Sequence, residues 1–357
     1  LADHSYRRRR TSLSALEELE DEQPTRDEGM EDVGVAADRP YFEVLVVEVL
    51  EPGEEHVART GLVDMRRPED RFVYDVVVVS SMEPEVLVHA ARVMPDVMSL
   101  NTVLSYCLTE PGSGSDAASL KTRAARDNEG YVLNGTKAFI SGGGYSDAYV
   151  CMVRTGEDGP KGISTVYVED GTPGLSFGGL EDKMGWKSQP TAQVQFDDCR
   201  VPAGNLVGEE GHGFKYAMKG LDGGRLNIAA CSLGAAQAGL SATLQYMSER
   251  KAFGKSIDQF QGLQFRLADM EIELQAARTF LRQAAWKLDQ GEPDASKFCA
   301  MAKKFVTETG SKVVDQCLQL HGGYGYLADY GIEKLVRDLR VHQILEGTNE
   351  IMRVIVA

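Results

Sequence analysis

The 357-residue sequence is poor in the features that mark nucleic-acid-binding and membrane proteins. It carries 38 lysines and arginines against 54 aspartates and glutamates, a formal net charge of -16. This shortage of positive charge disfavours nonspecific binding to nucleic acid or anionic lipid. No apolar run approaches the roughly 20 residues of a membrane-spanning helix, so we expect no membrane span. An anionic ligand must therefore meet a local cluster of hydrogen-bond donors.

Cysteine and histidine are scarce and are not spaced for metal binding. The six cysteines form no Cys-x-x-Cys pair, and none of the six histidines has the spacing of a zinc ligand, so we expect no metal site. Most of the cysteines lie in apolar or small-residue segments, which predicts buried free thiols in a reducing compartment. The basic run Arg7 to Arg10 is followed by the acidic run Glu17 to Asp21, which argues against a transit peptide.

Three regions differ in pattern and predict domains at residues 1–98, 99–207 and 208–357. Residues 1–98 mix charge with short valine-rich runs and show no sustained helical period, so their fold is left open. In residues 99–207, short β-rich segments alternate with Gly, Asn and Asp turns, a pattern typical of an antiparallel barrel or sandwich.

Residues 208–357 have a helical period and predict a helix bundle. The clearest run places an apolar residue every three or four positions from Phe260 to Leu288. Asp258 stands where an N-cap is expected, and Gly291 follows the last turn. Similar helices are predicted at about 211–249 and 295–318, and three long amphipathic helices in sequence indicate an up-down bundle.

Two stretches of the β-rich region are candidates for binding a flat cofactor. The small-residue loop Thr109 to Asp116 allows close backbone approach to a ligand, but it is also typical of a plain hairpin turn. Phe139-Ile140-Ser141 places an aromatic ring and a hydroxyl at the end of a predicted strand. The same pattern is typical of a core phenylalanine beside a capped turn.

Two stretches of the helical region have similar alternatives. Arg250 offers a bidentate fork for a pyrophosphate, yet a basic residue at a helix C-terminus also interacts with the helix dipole. Gln319 to Tyr326 ends a predicted helix in a glycine turn, which either caps the helix or lets a cofactor approach. We expect His321 to be a packed or capping residue.

Glu346 is the candidate base, because it lies between apolar residues and Gly347. A carboxylate in apolar surroundings has a raised pKa and can remove a proton near neutral pH. The alternative is a surface glutamate that caps the next helix, a position for which Thr348 and Asn349 compete.

From about Pro95 onward, these stretches occur in the order and spacing of the acyl-CoA dehydrogenases, and the chain resembles that family. The similarity is most specific at Leu108 to Leu120, Asn134 to Gly142 and Val341 to Gly347. The resemblance implies an α+β fold, with a β-barrel middle domain followed by the helix bundle. It also implies FAD as cofactor, an acyl-CoA substrate, electron-transfer flavoprotein as electron acceptor and a homotetramer.

The resemblance further implies roles for individual residues. Glu346 is implied as the catalytic base, with substrate contacts from Ser115, Asp222, Arg225 and Gly347. One part of the implied FAD site comprises Tyr106, Leu108, Thr109, Ser115, Phe139, Ile140 and Ser141. A second part, implied to bind the FAD of a neighbouring subunit, comprises Arg250, Phe253, Phe260, Gln261, Gln319, Gly322 and Gly323. Thr348 and Glu350 are implied to contact the same cofactor from the turn that carries Glu346.

Some relatives place the base in the helix before the arginine that matches Arg225, but this chain has Asp222-Gly223-Gly224 there and no glutamate. The resemblance therefore implies that Glu346 is the residue that removes the α-proton of the substrate. It also implies a short, branched acyl-CoA, such as isobutyryl-CoA, as substrate, and the cytoplasm of a prokaryote or the mitochondrial matrix as location. The family's all-helical N-terminal domain is not matched by residues 1–94. The alternative to an active dehydrogenase is a noncatalytic or truncated relative that acts as a scaffold. An acyl-CoA oxidase is a variant of the active enzyme.

Overall fold

The computed structural model describes residues 42–46, 59–63, 96–97 and 101–357. In the first two segments, strands β1 (Phe42–Val46) and β2 (Arg59–Val63) pair antiparallel in register from Phe42↔Val63. Most of the predicted region 1–98 lies outside the described residues.

An eight-stranded mixed sheet forms the middle of the chain. Its path runs β10-β7-β6-β4-β5-β9-β8, with β3 paired to β6 beside it. The strands are β3 (Leu104–Cys107), β4 (Arg123–Arg126), β5 (Gly130–Ser141), β6 (Ala148–Arg154), β7 (Ile163–Glu169), β8 (Leu175–Phe177), β9 (Thr191–Pro202) and β10 (Leu206–Val207).

Most neighbouring strands are antiparallel, as expected, but β3 runs parallel to β6, with Leu104 opposite Ala148. This departs from the all-antiparallel expectation, because the long excursion through β4 and β5 returns the chain beside β3 in the same direction. Every residue of β6 is buried. Such a strand reads as a continuous apolar run because both of its faces are covered.

Five α-helices follow: α1 (Gly213–Glu249), α2 (Gln261–Asp289), α3 (Ala295–His321), α4 (Ile332–Arg340) and α5 (Asn349–Val356). The hairpin β11 (Lys251–Ala252) and β12 (Lys255–Ser256) joins α1 to α2. The sheet ends at Val207 and the first long helix begins at Gly213, so we infer a domain boundary near 207/208.

The predicted apolar stripe of α2 is confirmed as its buried face. Met270, Leu274, Ala277, Leu281 and Ala284 are buried there, against apolar residues of α1 and α3.

The prediction that Asp258 caps α2 is wrong. Asp258 lies in the 3-10 turn Ile257–Gln259, where its carboxylate accepts a hydrogen bond from Ser256 Oγ at 2.5 Å. The N-cap of α2 is Phe260, which has no side-chain cap. This extra turn was not visible in the periodicity. Gly291 does follow the end of α2, with φ of +63°.

Polar contacts join the sheet to the helices. The Trp186 N–H donates to Asp338 Oδ1 at 2.6 Å, and Arg337 Nη1 of α4 donates to the Met184 carbonyl at 3.1 Å. On another side of the sheet, Tyr106 Oη donates to the Ala217 carbonyl at 3.4 Å. β3 and the loop between β8 and β9 are thereby held against helices α1 and α4.

All six cysteines are free thiols, and five of them are buried, as predicted. Across residues 42–46, 59–63, 96–97 and 101–357, none of the helices combines the length and apolar character that crossing a membrane requires.

Candidate active site

Glu346 lies on a turn between the 3-10 turn Val341–Gln343 and helix α5. Its φ is +55°, and Gly347 follows with a φ of +88°. A positive φ is costly for a residue with a side chain, and such strain is typical of functional sites. The turn aims the carboxyl group into the protein, where Oε2 is buried and has no hydrogen-bond partner among the described residues. Burial raises the Glu346 pKa to about 7, although nearby Arg225 and Lys303 lower it. The prediction of a base with a raised pKa therefore has a structural cause.

Gly224 of α1 provides the space that this carboxyl group occupies. A Cβ built on Gly224 would lie 2.3 Å from Glu346 Oε2 and 2.8 Å from Cδ. Ordinary van der Waals contacts begin at 3.4 Å, so no larger residue fits at position 224 without moving the carboxyl group. The absence of a side chain here thus allows Glu346 to point inward.

Arg225 adds a buried cation beside this carboxyl group. Its Nη1 donates to Asp222 Oδ1 at 2.5 Å, and the other Asp222 oxygen accepts a hydrogen bond from Ser296 Oγ. Arg225 Nε is buried and has no partner within the described part of the chain. Asp222 is thus engaged inside the protein, while Arg225 keeps one donor that a ligand could use.

Tyr106 of β3 completes this cluster. Burial raises the pKa of Tyr106 well above its usual value, and the nearby charge of Glu346 raises it further. Its phenol stays neutral and adds a largely apolar wall. The structure therefore brings together five of the predicted residues: Tyr106, Asp222, Arg225, Glu346 and Gly347.

The loop Thr109 to Ser115 is anchored by a buried ion pair that the sequence reading missed. Lys137 Nζ donates to Glu110 Oε1 at 2.8 Å and to the Leu108 carbonyl at 3.2 Å. The backbone N–H groups of Lys121 and Thr122 donate to the same carboxylate. Lys137 is fully buried, so its ammonium holds Glu110 in a medium where an unpaired charge is costly. This anchor leaves Ser115 and its glycine neighbours exposed on the surface.

Phe139 projects from β5 beside this loop. The Ala138 N–H donates to the Thr109 carbonyl at 2.8 Å, which ties the two stretches together. Phe139 has a φ of +58° and is 68% exposed, whereas Ile140 is buried in the sheet. The interpretation of Phe139 as a core residue is wrong, because the strained backbone turns its ring outward. The Ser141 carbonyl accepts a hydrogen bond from Ser105 Oγ at 2.5 Å, and this fixes the end of the strand.

A second group of predicted residues lies on the helix bundle. Arg250, Gln319, Gly322 and Gly323 line one surface pocket of about 450 Å³. The Arg250 guanidinium lies over the Tyr324 ring, 5.2 Å from its centroid.

His321 lines the same pocket as a packed residue, as expected. Its ring stacks on Tyr246 with centroids 4.3 Å apart, and its Nδ1 is 2.8 Å from the Cys317 carbonyl.

The remaining predicted residues lie at helix starts or on the surface. Phe253 is 96% exposed and its ring makes an edge contact with Phe260, the residue before Gln261 at the start of α2. Thr348 is the N-cap of α5, where its Oγ accepts from the Ile351 N–H at 3.3 Å, and so the capping alternative holds for Thr348 rather than Glu346. Glu350 pairs with Arg353 at 3.3 Å.

Lys303 was missed although the sequence carried a signal. It falls on the apolar stripe of α3, in register with buried Cys299, Val306 and Gly310, and it is itself fully buried. Its Nζ donates to the Gly347 carbonyl at 2.8 Å and to Asn349 Oδ1 at 2.9 Å. A lysine on the inner stripe of an amphipathic helix is the pattern that predicts such a buried donor.

Within the described segments of the chain, no group of three or more His, Cys, Asp or Glu side chains could hold a metal ion.

Comparisons with known proteins relate both the sheet and the helices to one protein family. Residues 105–199 match the family model for the acyl-CoA dehydrogenase middle domain, and residues 211–357 match the model for the acyl-CoA dehydrogenase C-terminal domain.

Among similar proteins, mitochondrial isobutyryl-CoA dehydrogenase of Bos taurus is 56% identical over 74% of this chain and 64% of its own length. The Dictyostelium discoideum protein of the same name is 55% identical, with the same coverage. The structure of butyryl-CoA dehydrogenase from Megasphaera elsdenii is 36% identical, with a TM-score of 0.77 over 80% of this chain and 76% of that one. The chain thus spans 64% of the length of the two curated relatives.

Proposed function

Because this chain belongs to the acyl-CoA dehydrogenase family, we propose that it catalyses the FAD-dependent α,β-dehydrogenation of a short, branched acyl-CoA. The observation that carries the proposal is the Glu346 carboxyl group: the residue is half-buried, its Oε2 is buried and has no partner among the described residues, and its pKa is raised to about 7. Such a group can take a proton at neutral pH and has no evident structural purpose, since an unpaired buried carboxylate destabilises the fold.

The residues present fit a flavin. An exposed phenylalanine on strained backbone, beside a loop of small residues, provides a flat apolar surface that the protein itself leaves uncovered. Phe139 would pack against the isoalloxazine, while Thr109 and Ser141 would lie at its polar edge. Bound there, FAD would supply the acceptor for the hydride of the β-carbon, a chemistry that no side chain offers.

The protein's own residues would do the rest. Glu346 would remove the α-proton of the thioester, and its carboxyl group is kept reactive by burial against Gly224. The Glu346 N–H donates to no backbone acceptor among the described residues, so it is available for the thioester oxygen, where negative charge develops as the proton leaves. Tyr106 would help to exclude water from the reacting carbons.

We propose the substrate from similarity and from the hydrogen-bond donors near Glu346. The two isobutyryl-CoA dehydrogenases support a short branched acyl group, and Arg225 with its unpaired Nε offers a donor to the bound ester. Asp222 would act mainly by holding Arg225, since its own oxygens are already engaged. Ser115 and Gly347 would also contact the substrate.

Assembly and electron transfer follow from the same family assignment. The pocket that contains Arg250, Gln319 and Gly323 would bind the FAD of a neighbouring subunit. Phe253, Phe260 and Gln261 would contribute to the same site from the hairpin after α1 and the start of α2. Exposed Phe265, Ile272 and Trp286 on α2 give an apolar surface suited to association in a homotetramer. Electron-transfer flavoprotein would accept the electrons, in the cytoplasm of a prokaryote or in the mitochondrial matrix.

An absorbance experiment tests the proposal. The purified protein, loaded with FAD, should be yellow, and isobutyryl-CoA should bleach the flavin band under anaerobic conditions. A panel of straight and branched acyl-CoA esters would rank the substrates. The variant Glu346→Gln should retain FAD and bind the ester without bleaching. Protein that stays colourless after FAD loading would support the scaffold alternative, and a variant that bleaches at the normal rate would refute Glu346 as the base.

A further inference from the structure

Lys303 is a buried cation for which the fold alone gives no reason. Its side chain has no exposed surface, and burying an ammonium group costs several kcal/mol unless the charge is compensated. Its two hydrogen-bond partners, the Gly347 carbonyl and Asn349 Oδ1, are neutral. A neutral donor could satisfy both oxygens, so the positive charge itself has another use.

Both partner oxygens belong to the segment that carries Glu346. The Gly347 carbonyl follows Glu346 directly, and Asn349 is the first residue of α5. Asn349 is itself fixed, because its Nδ2 donates to Thr307 Oγ1 of α3 at 3.2 Å. Lys303 therefore holds in place the turn in which two successive residues, Glu346 and Gly347, have positive φ. Without this contact, the turn could relax and the carboxyl group would lose its direction.

The charged and titratable groups around Glu346 come from three elements. Arg225 lies on α1, Lys303 on α3 and Tyr106 on β3, and only the first two favour the ionised carboxylate. Arg225 is already paired with Asp222, so a large part of its charge is compensated. Both cations lower the Glu346 pKa, Arg225 more than Lys303. Among the described residues, Lys303 has no carboxylate within hydrogen-bonding distance, and its two bonds go to the turn that carries Glu346.

The positive charge of Lys303 also affects His342, and it is itself affected by the charges around it. Burial and Lys303 together lower the pKa of His342 to about 3, so the imidazole stays neutral. Burial lowers the pKa of Lys303 to about 8, while the charges of Glu346, Glu350 and Glu308 raise it and that of Arg225 lowers it. Lys303 is therefore a cation at neutral pH, when Glu346 must be ionised.

We propose that Lys303 is a positioning residue for Glu346: its hydrogen bonds fix the strained turn, and its charge favours the ionised, proton-accepting carboxylate. The inference rests on the proposed role of Glu346 as the base. Lys303 itself does not contact the substrate in this scheme.

The test compares variants that separate charge from hydrogen bonding. Lys303→Gln keeps a donor without the charge, Lys303→Arg keeps the charge, and Lys297→Met is a control on an exposed position of the same helix. For each we would measure FAD content, thermal stability, and kcat and KM for isobutyryl-CoA between pH 5.5 and 9. The acid limb of kcat/KM reports the ionisation of the free enzyme's base.

In Lys303→Gln we expect normal FAD content, a KM close to wild type and an acid limb moved to higher pH. A limb that moves by one pH unit lowers kcat/KM by about tenfold at pH 6, and the loss should shrink as the pH approaches 9. Lys303→Arg should keep the wild-type limb, and Lys297→Met should match wild type throughout. A purely structural lysine would lower stability or FAD content and leave the limb in place, and that result would overturn the inference.

A second variant covers the case in which Lys303→Gln does not fold. Asn349→Ala keeps the charge of Lys303 but removes one contact of the turn, so kcat should fall while the acid limb stays. An unchanged kcat in Asn349→Ala would overturn the positioning role. If Glu346→Gln is fully active, the proposed base fails. If Glu346→Gln is inactive and Lys303→Gln has the wild-type profile, only the role of Lys303 fails.

Discussion

Replacing Gly224 with alanine should lower turnover without weakening the fold. The added methyl group would lie 2.3 Å from Glu346 Oε2, whereas a normal contact needs 3.4 Å. The obstructing atom is the end of a flexible side chain, so the carboxyl group can move away at little cost in stability. A helix is also more stable by about 0.5–1 kcal/mol with alanine than with glycine at an interior position, so we expect Gly224→Ala to have an equal or higher melting temperature.

The loss of activity follows from the size of that movement. The carboxyl group must shift by about 1 Å, and a misplacement of about 1 Å can slow catalysis by about 10²-fold, or roughly 2.7 kcal/mol of transition-state stabilisation. The assay is the anaerobic rate of flavin bleaching by isobutyryl-CoA, measured beside FAD content and thermal unfolding. We expect a lower kcat with normal FAD content.

A matched control is available in helix α2. A Cβ built on Gly262 meets no atom within 4 Å, so Gly262→Ala makes the same change in a helix without touching Glu346. If Gly224→Ala turned over within twofold of wild type, the carboxyl group would not depend on this space, and the reasoning would be refuted. A loss of both activity and stability would point instead to damaged packing.

Three further outcomes are expected. The Glu346 pKa of about 7 in the folded protein exceeds its ordinary value of 4.5, so the stability that the protonated group contributes is lost as pH rises through 7. Glu346→Gln should therefore melt at a higher temperature than wild type at pH 8 and at a similar temperature near pH 5, and equal curves at pH 8 would contradict the burial. Phe139→Ala should weaken FAD binding by about tenfold, because an aromatic contact contributes about 1–1.5 kcal/mol, and the melting temperature should change little because the ring is exposed. Titration of the FAD-free protein with FAD measures the affinity. An unchanged affinity would argue against stacking of Phe139 on the flavin. Lys137→Met should destabilise the protein by about 3–5 kcal/mol in denaturant unfolding because it leaves Glu110 buried without its cation, and a smaller loss would mean that water reaches the carboxylate.

The sequence predicted those parts of the fold that repeat along one element. The stripe of α2 could be seen because each turn places an apolar residue on the same side, and the cysteines could be interpreted from their apolar neighbours. The parallel pairing of β3 with β6 and the 3-10 turn at Asp258 could not be predicted in this way. Strand direction depends on the path of the whole chain, and a single turn before a helix leaves no period.

The same distinction between local patterns and long-range contacts applies to the candidate site. Glu346 and Arg225 could be proposed because their local motifs match a family, and Thr348 was a visible capping candidate. The space at Gly224 and the buried contact from Lys303 are pairings between distant helices, so they emerge only in three dimensions. Phe139 was assigned to the cofactor by resemblance, but its outward orientation depends on a backbone angle that the sequence does not display.

The bond from the Trp186 N–H to Asp338 has a mechanical consequence. Asp338 lies near the end of α4, which precedes the turn that carries Glu346, and Trp186 lies in the loop between β8 and β9 of the sheet that presents Phe139. This bond, together with the one from Arg337 to the Met184 carbonyl, therefore ties the element before the proposed base to the sheet that carries the proposed aromatic platform. A movement of the sheet away from the helices would break these bonds, so we expect the distance between Glu346 and the Phe139 ring to stay nearly constant while a ligand enters or leaves.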